Sequence, residues 1–382
     1  MDKKADADLK ETAVTAVRKR RGGGKSRRIT MTDIAREAEC SQATVSFVLN
    51  RTDGVKISPE TSARVIETAL RLGYRPSSIS GLLEPQVPSV TEGTIGFLVD
   101  QLATSPEAAI AIDSARQEAW RTGNIVISAQ TMSDPGIEER AINTLIAAGV
   151  SSLIYMTIIT RELKPNPMLY NLGVPLVLLN CYTADHAFPS VIPSEIAGGQ
   201  GATKHLIERG HQRIGTILGE IWMDAAAGRL EGYRRALATA DIAYDPELVV
   251  QGDWSTSGGY TATRKLLALK DPPTAIFCQN DRTAVGCYDA LREAGLSIPH
   301  DVSVLGYDDE EISRHLRPRL TTCVLPHRVM GRWAIEHLED RRPSPKKRYP
   351  ITKIECSLIT RDSVAPPRRG GNSKPLSYSR LV

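Results

Sequence analysis

The sequence predicts an α/β chain in three parts: a small N-terminal three-helix domain of helix-turn-helix type, a hinge, and a large two-lobed α/β domain. Two short amphipathic runs separated by a tight turn within residues 29–50 give the first part. A Pro/Ser-rich stretch between Tyr74 and Gly93 gives the second. From Thr94 onward, short β-rich apolar runs alternate with amphipathic helical stretches, and this gives the third.

The first helix is expected over about 32–38, with Ile34, Ala35 and Ala38 on one face and Thr30 with Asp33 forming a capping-box start. Glu39 and Cys40 make the turn. Ser41 then suits the N-cap of a second helix, which turns Val45, Val48 and Leu49 inward and leaves Gln42, Ala43, Ser46 and Phe47 outward. Such an outward face is the one that enters a major groove. A third helix starts at Ser58-Pro59, runs through Val65, Ile66 and Leu70, and stops at Gly73. From spacing alone, three helices of this size would equally serve as a protein-interaction module. The flank favours nucleic acid: Arg18, Lys19, Arg20, Arg21, Lys25, Arg27 and Arg28 precede the helices, a basic arm suited to neutralising phosphates.

The formal net charge is only +4, so affinity for a polyanion must come from local clusters such as this arm. At 382 residues and 41% hydrophobic, the chain can fill a small domain plus one large or two medium ones. The six cysteines include no Cys-x-x-Cys pair and have no His nearby at metal spacing, which reads as reduced, buried thiols and no metal. No signal-peptide pattern and no apolar run of roughly 20 residues is visible, so a cytoplasmic protein without membrane contact is expected.

Strands are expected at 94–99, 125–128, 153–156, 176–179, 213–217, 275–277, 303–307 and 321–324, in a mainly parallel arrangement with lobes before and after 192–195. Ligands of open α/β sheets bind outside the carboxyl ends of strands. Asp100, Asn180, Asn280 with Asp281, and Asp308 with Asp309 follow expected strands. Carboxylates that accept from paired hydroxyls, amides that donate and accept, and the planar fork of Arg229 suit a vicinal diol, while Trp254 offers a flat face to a sugar ring. Strand-end Asp and Asn also commonly cap the next helix, and Asp281 is expected to do so.

The order Thr-Met-Thr-Asp-Ile-Ala, Glu-Ala, Ser, Thr-Val-Ser, Val-Leu-Asn, then Ser-Pro-Glu-Thr and Leu-Gly-Tyr-Arg-Pro, resembles the N-terminal signature of the lactose-repressor (LacI/GalR) family of bacterial regulators. Arg229-Leu-Glu-Gly-Tyr, Asn280-Asp281 and Gly306-Tyr307-Asp308-Asp309 match further family elements, and the likeness spans about 29–364. The resemblance implies a helix-turn-helix DNA-binding domain, a hinge and a two-lobed, periplasmic-binding-protein-like effector domain with three chain crossings. The corresponding segments are a disordered basic extension at 1–28, the DNA-binding domain at 29–76, the hinge and linker at 77–93, the effector and dimerisation domain at 94–364, and a disordered tail at 365–382.

Carried over by position, the resemblance puts Gln42, Ala43 and Phe47 at base-reading sites. It puts Ser41, Thr44, Ser46, Asn50, Ser58 and Thr61 at phosphate-gripping ones. Phe47 departs from the polar residue common there, which implies a different operator; packing on the third helix or the hinge is the alternative. Leu83 corresponds to a leucine wedged into the minor groove. Gly81 weakens the hinge helix by roughly 1 kcal/mol relative to Ala, and Leu82 and Leu83 would otherwise pack on the large domain. For the effector, a sugar-like molecule, the resemblance implies Arg229, Asn280 and Asp308 foremost, then Asp100, Asn180 and Trp254. No leucine heptad follows the last strand, so a homodimer is expected.

The function expected is a transcriptional regulator, a repressor of carbohydrate-metabolism genes that binds double-stranded operator DNA, with neither cofactor nor catalysis. A transport receptor fits the large domain but not the helix-turn-helix. An enzyme would need machinery that is not visible: there is no Gly-x-Ser-x-Gly elbow, phosphate-cradling loop or His-Glu-x-x-His pair.

Overall fold

A computed structural model describes residues 30–49, 57–72, 93–102, 106–338 and 348–368. The basic arm, Asn50, Gly73, the hinge with Gly81 and Leu83, and the final residues therefore lie outside the described residues. The chain divides into two compact units, 1–89 and 90–382.

In the first unit, α1 (Met31–Glu37), α2 (Gln42–Leu49) and α3 (Pro59–Arg71) form the expected trio. Thr30 and Asp33 make a reciprocal capping box: the Thr30 hydroxyl accepts from the Asp33 amide, and the Asp33 carboxylate accepts from the Thr30 amide at 2.9 Å. Glu39 takes φ 49° in the turn. Ser41 caps α2, its Oγ accepting from the Thr44 amide at 3.0 Å, and Ser58 caps α3 through Thr61 at 3.2 Å. Ile34, Ala35, Ala38, Val45, Val48, Leu49, Val65 and Ala69 close one core. Arg64 ties α3 back to the end of α1 by donating to the Ala38 carbonyl at 3.0 Å.

The second unit holds two six-stranded sheets. Its elements run β1 (Thr94–Val99), α4 (Pro106–Arg121), β2 (Ile125–Gln130), α5 (Pro135–Ala147), β3 (Ser152–Glu162), β4 (Leu176–Tyr182), β5 (Ser190–Pro193), α6 (Glu195–Glu208), β6 (Ile214–Leu218), α7 (Asp224–Thr239), β7 (Val249–Gln251), α8 (Thr256–Leu267), β8 (Ala275–Cys278), α9 (Asp281–Glu293), β9 (Ser303–Asp308), α10 (Ile312–His315), β10 (Thr321–Val324), α11 (His327–Glu336), β11 (Ile351–Ile354) and β12 (Leu358–Ile359). The strand orders are β11-β5-β4-β3-β1-β2 and β12-β10-β9-β8-β6-β7, all parallel except the β10–β12 pair. The chain passes between sheets after β5, after β10 and after β11, which gives the three expected crossings. The boundary near 192–195 is thus only the first of three: α11 and β11 return to the first lobe, where Met330, Ala334 and Ile335 join the core beside Phe97 and Ile154.

Each sheet reverses its winding once, between β1 and β3 in the first lobe and between β6 and β8 in the second, and these reversals open the crevices in which such folds hold ligands. In the second lobe, α6 and α7 approach closely because glycines line their contact: a Cβ on Gly199 would stand 2.4 Å from the Arg229 carbonyl, and one on Gly232 would stand 2.2 Å from the Ile196 carbonyl. Neither backbone oxygen can yield without moving a helix. Gly232→Ala is therefore expected to lower stability by about 1–3 kcal/mol through overpacking. Urea denaturation checks this, and an unchanged midpoint would show that the helices are not in tight contact.

Candidate functional site

Two surfaces carry chemistry, one in each unit. On α2, Gln42, Ala43 and Phe47 are exposed, Phe47 at 38%, whereas Val45, Val48 and Leu49 are buried. Phe47 is absent from the three-helix core, so the alternative of burial against α3 does not hold in this unit. Thr44 and Ser46 are half-buried at the edge of the same face, and the Ser41, Thr44, Ser58 and Thr61 hydroxyls sit at the N-terminal ends of α2 and α3. Helix N-termini carry partial positive charge and free amides, the ordinary means of holding a phosphate.

The second surface is a cavity of about 290 Å³ between the two lobes. Asn180, Arg229, Trp254, Asn280 and Asp308, five of the six residues singled out for a small ligand, all line it. Asp100 does not: it is buried, and its carboxylate accepts from the Ile158 amide at 2.9 Å and pairs with Arg161 at 3.2 Å. Burial pushes its pKa up, opposed by that amide and by Arg161. Asn180 works on the same segment, donating to the Thr157 and Ile158 carbonyls at 2.9 and 3.1 Å while accepting from the Thr160 hydroxyl at 2.6 Å. Together they hold the register break in β3 that turns Ile158, Ile159 and Thr160 toward the cavity.

The floor is a buried ion pair. Arg229 is 3% exposed; its Nε and Nη2 meet both Glu195 oxygens at 2.7 and 3.1 Å, its Nη1 donates to the Gln279 carbonyl, and Asp308 lies at 3.7 Å. The guanidinium also lies over the Tyr307 ring at 3.7 Å. Its donors are thus largely committed inside the protein, so Arg229 shapes the site more than the planar-fork reading allows. Asn280 is committed as well: its Oδ1 caps α9 through the Thr283 amide at 2.9 Å, and its Nδ2 donates to the Trp254 carbonyl at 3.0 Å. That corrects the assignment of the cap to Asp281, whose carboxylate instead accepts from the Thr322 hydroxyl at 2.7 Å and the Glu310 amide at 2.8 Å. Asn180, Trp254 and Asp308 hold φ of 60°, 64° and 111°, three of the positive-φ non-Gly positions among the described residues.

Sequence reasoning missed Glu107, Glu195, Arg282, Glu310 and His327, the other ionisable residues of the lining. Glu107 at the start of α4 faces Asp308 and Glu310 from the other lobe, with one carboxylate oxygen of each within 4.8 Å of the others. Burial pushes the Glu107 pKa up, and the Glu310 charge adds to the shift. Burial also lifts Asp308 well above the carboxylate range despite Arg229. His327 is 1% exposed, neither ring nitrogen has a partner, and burial with the nearby Arg229 charge lowers its pKa to about 3, so it is neutral. Met223, Leu325, Ile158 and Ile159 supply apolar wall. Outside the cavity, the Tyr182 hydroxyl of the first lobe donates to Asp224 of the second at 2.9 Å.

Residues 30–77 match the family described as bacterial regulatory proteins, lacI family, and 203–364 match a periplasmic binding protein-like domain. A ribose operon repressor of Haemophilus influenzae is 33% identical over 335 residues, 88% of this chain and 98% of that protein. The chain belongs to the lacI family of bacterial regulatory proteins. Among solved lacI-family structures, the regulator CelR in complex with cellobiose has a TM-score of 0.61 at 30% identity, covering 88% of this chain and all (100%) of that one. The lac repressor dimer bound to operator and the anti-inducer ONPF has a TM-score of 0.60 at 26% identity, covering 89% and 100%. No helix among the described residues is long and apolar enough to cross a membrane.

Two outcomes follow from the site's charges. Glu195→Ala strands a buried guanidinium and is expected to cost about 3–5 kcal/mol, measured by urea denaturation; a loss below about 1 kcal/mol would mean that water or Asp308 replaces the partner. Burial raises the Asp281 pKa from 3.8 to about 7. The folded state then holds a proton there that the unfolded chain releases, so this group's contribution to stability is full below pH 3.8 and is lost as pH rises toward about 7. The stability difference between Asp281→Asn and the wild type should therefore move in the variant's favour over that interval, and a difference independent of pH would contradict the shift.

Proposed function

We propose that this protein is a sequence-specific DNA-binding transcriptional repressor of carbohydrate-metabolism genes, acting as a homodimer on operator DNA under the control of a small, sugar-like effector held between its lobes. The observation that carries the reading is the pairing in one chain of a lacI-family helix-turn-helix with an interlobe cavity lined by Asn180, Arg229, Trp254, Asn280 and Asp308. The relatives are a ribose operon repressor, a regulator complexed with cellobiose, and a repressor dimer on operator, which supports DNA, sugar and dimer alike. All are regulators, and this favours regulation over catalysis.

In this reading Gln42, Ala43 and Phe47 face base edges, where Gln pairs with adenine and the apolar side chains meet a thymine methyl. Ser41, Thr44, Ser46, Asn50, Ser58 and Thr61 hold phosphates and fix register. Leu83 supplies a minor-groove wedge. On the effector side, Trp254 faces a sugar ring while Asp308 accepts from its hydroxyls. Asp100 acts indirectly, by holding the segment that carries Ile158 and Thr160. Control requires the effector to bind one lobe arrangement more tightly than the other.

Selecting bound duplexes from random DNA tests the reading. The wild type should enrich a pseudo-palindrome, Phe47→Arg should enrich a different one, and Ser46→Ala should weaken binding to all duplexes alike. Enrichment of no sequence at moderate salt would defeat the reading, and an unchanged preference in Phe47→Arg would remove Phe47 from the reading face.

A further inference from the structure

We propose that the effector is a positively charged, polyhydroxylated amine whose ammonium group sits among Glu107, Asp308 and Glu310 and thereby bridges the two lobes; this rests on the cavity being the effector site. The cavity is lined by four carboxylates, Glu107, Glu195, Asp308 and Glu310, against two guanidinium groups, Arg229 and Arg282. Arg229 is consumed by Glu195, and Arg282 pairs with Glu310 at 3.0 Å. Among the described residues no cation pairs with Glu107, and Asp308 has only Arg229 at 3.7 Å. An ammonium group donates three hydrogen bonds from one point charge, and three carboxylate oxygens within 4.8 Å of one another offer three acceptors.

A second observation in the same cavity points to a ligand larger than an ion. His327 is 1% exposed and neutral, and neither its Nδ1 nor its Nε2 has a partner. A buried imidazole without partners costs free energy unless something arrives to pair with it. Held neutral, it offers one donor and one acceptor, which suits a hydroxyl and not a second cation. Trp254, Met223, Ile158 and Leu325 line the remainder with apolar surface. A bare divalent ion would use the carboxylates and leave both His327 and this wall without a partner.

The arrangement also supplies a means of control. Glu107 belongs to the first lobe, Asp308 and Glu310 to the second, so closing the cleft crowds three carboxyl groups out of water, and burial drives Glu107 and Asp308 toward their protonated forms. An ammonium at their centre lets them ionise and pair with it, which favours the closed arrangement. An effector that binds one arrangement preferentially shifts the population toward it.

Calorimetric titration of the full-length protein tests this with 2-amino-2-deoxyhexoses and amino-pentoses, their N-acetyl derivatives, the parent neutral sugars, and Mg²⁺ or Ca²⁺ alone. At least one amine is expected to bind tighter than its parent sugar by at least about tenfold, equivalent to about 1.4 kcal/mol. N-acetylation should abolish the advantage. Glu107→Gln should erase most of it while the variant melts cooperatively, and Glu107→Asp should restore part. A neutral sugar that binds as tightly as its amine, binding of the divalent ions alone, or no binding by any amine would each overturn the proposal. Operator selection without ligand reports separately on the regulatory reading: a selected duplex with a neutral sugar as ligand sinks only the amine, whereas no selected duplex sinks the regulator and leaves amine binding to stand alone.

Discussion

The buried Arg229–Glu195 pair is the constraint around which the large unit is arranged. A guanidinium this deep must be neutralised and have its donors satisfied, or burying it would cost several kcal/mol. Glu195 opens α6 and Arg229 lies in the second turn of α7, so the two meet only if the helices nearly touch. Gly199 and Gly232 make that approach possible. The pair then fixes the position of Tyr307 beneath the guanidinium and of Asp308 beside it, and with them the floor of the cavity.

The cavity itself follows from topology. Each lobe reverses its strand order once, and the carboxyl end of β3 and the segments after β1, β6 and β8 diverge at these points, which leaves the room that becomes the cavity. Three chain crossings join the lobes, so a ligand that contacts Thr160 on one side and Asp308 on the other reports directly on their relative placement. Asn180, Trp254 and Asp308 in the cavity lining take positive φ.

Much of this was legible before any coordinates. The capping box at Thr30 and Asp33, the Ser41 and Ser58 caps and the inward triad Val45, Val48 and Leu49 are local patterns, and local patterns read well. The expected strand 321–324 coincides with β10, and 94–99 with β1. What escaped were β5, β7, β11 and β12, each four residues or fewer; β7, β11 and β12 sit at sheet edges and are only partly buried, so their apolar signal is weak. At the site, strand-end position pointed to Asn180, Asn280 and Asp308, and all three line the cavity. Asp100 does not line it, because a strand-end carboxylate facing an adjacent bulge satisfies the bulge's amides first. Glu107, Glu195 and His327 carried no local signal: they are helix-start residues from remote segments, brought together only by the crossings.

The two units divide the labour of a regulator. One presents Gln42, Ala43 and Phe47 on a helix face whose opposite side lies in its core; the other encloses a cavity lined from both lobes. Coupling between them is a free energy, and it is reciprocal, so the ligand must change the grip on DNA by the same factor as DNA changes the grip on ligand. The most direct measurement is fluorescence anisotropy of the full-length protein on its selected duplex, titrated with a ligand that occupies the cavity. Operator affinity is expected to shift at least about fivefold, the lower end of ordinary allosteric coupling, and calorimetry on the duplex-bound protein to return the same factor. A ligand that saturates the cavity and leaves operator affinity unchanged would contradict the account.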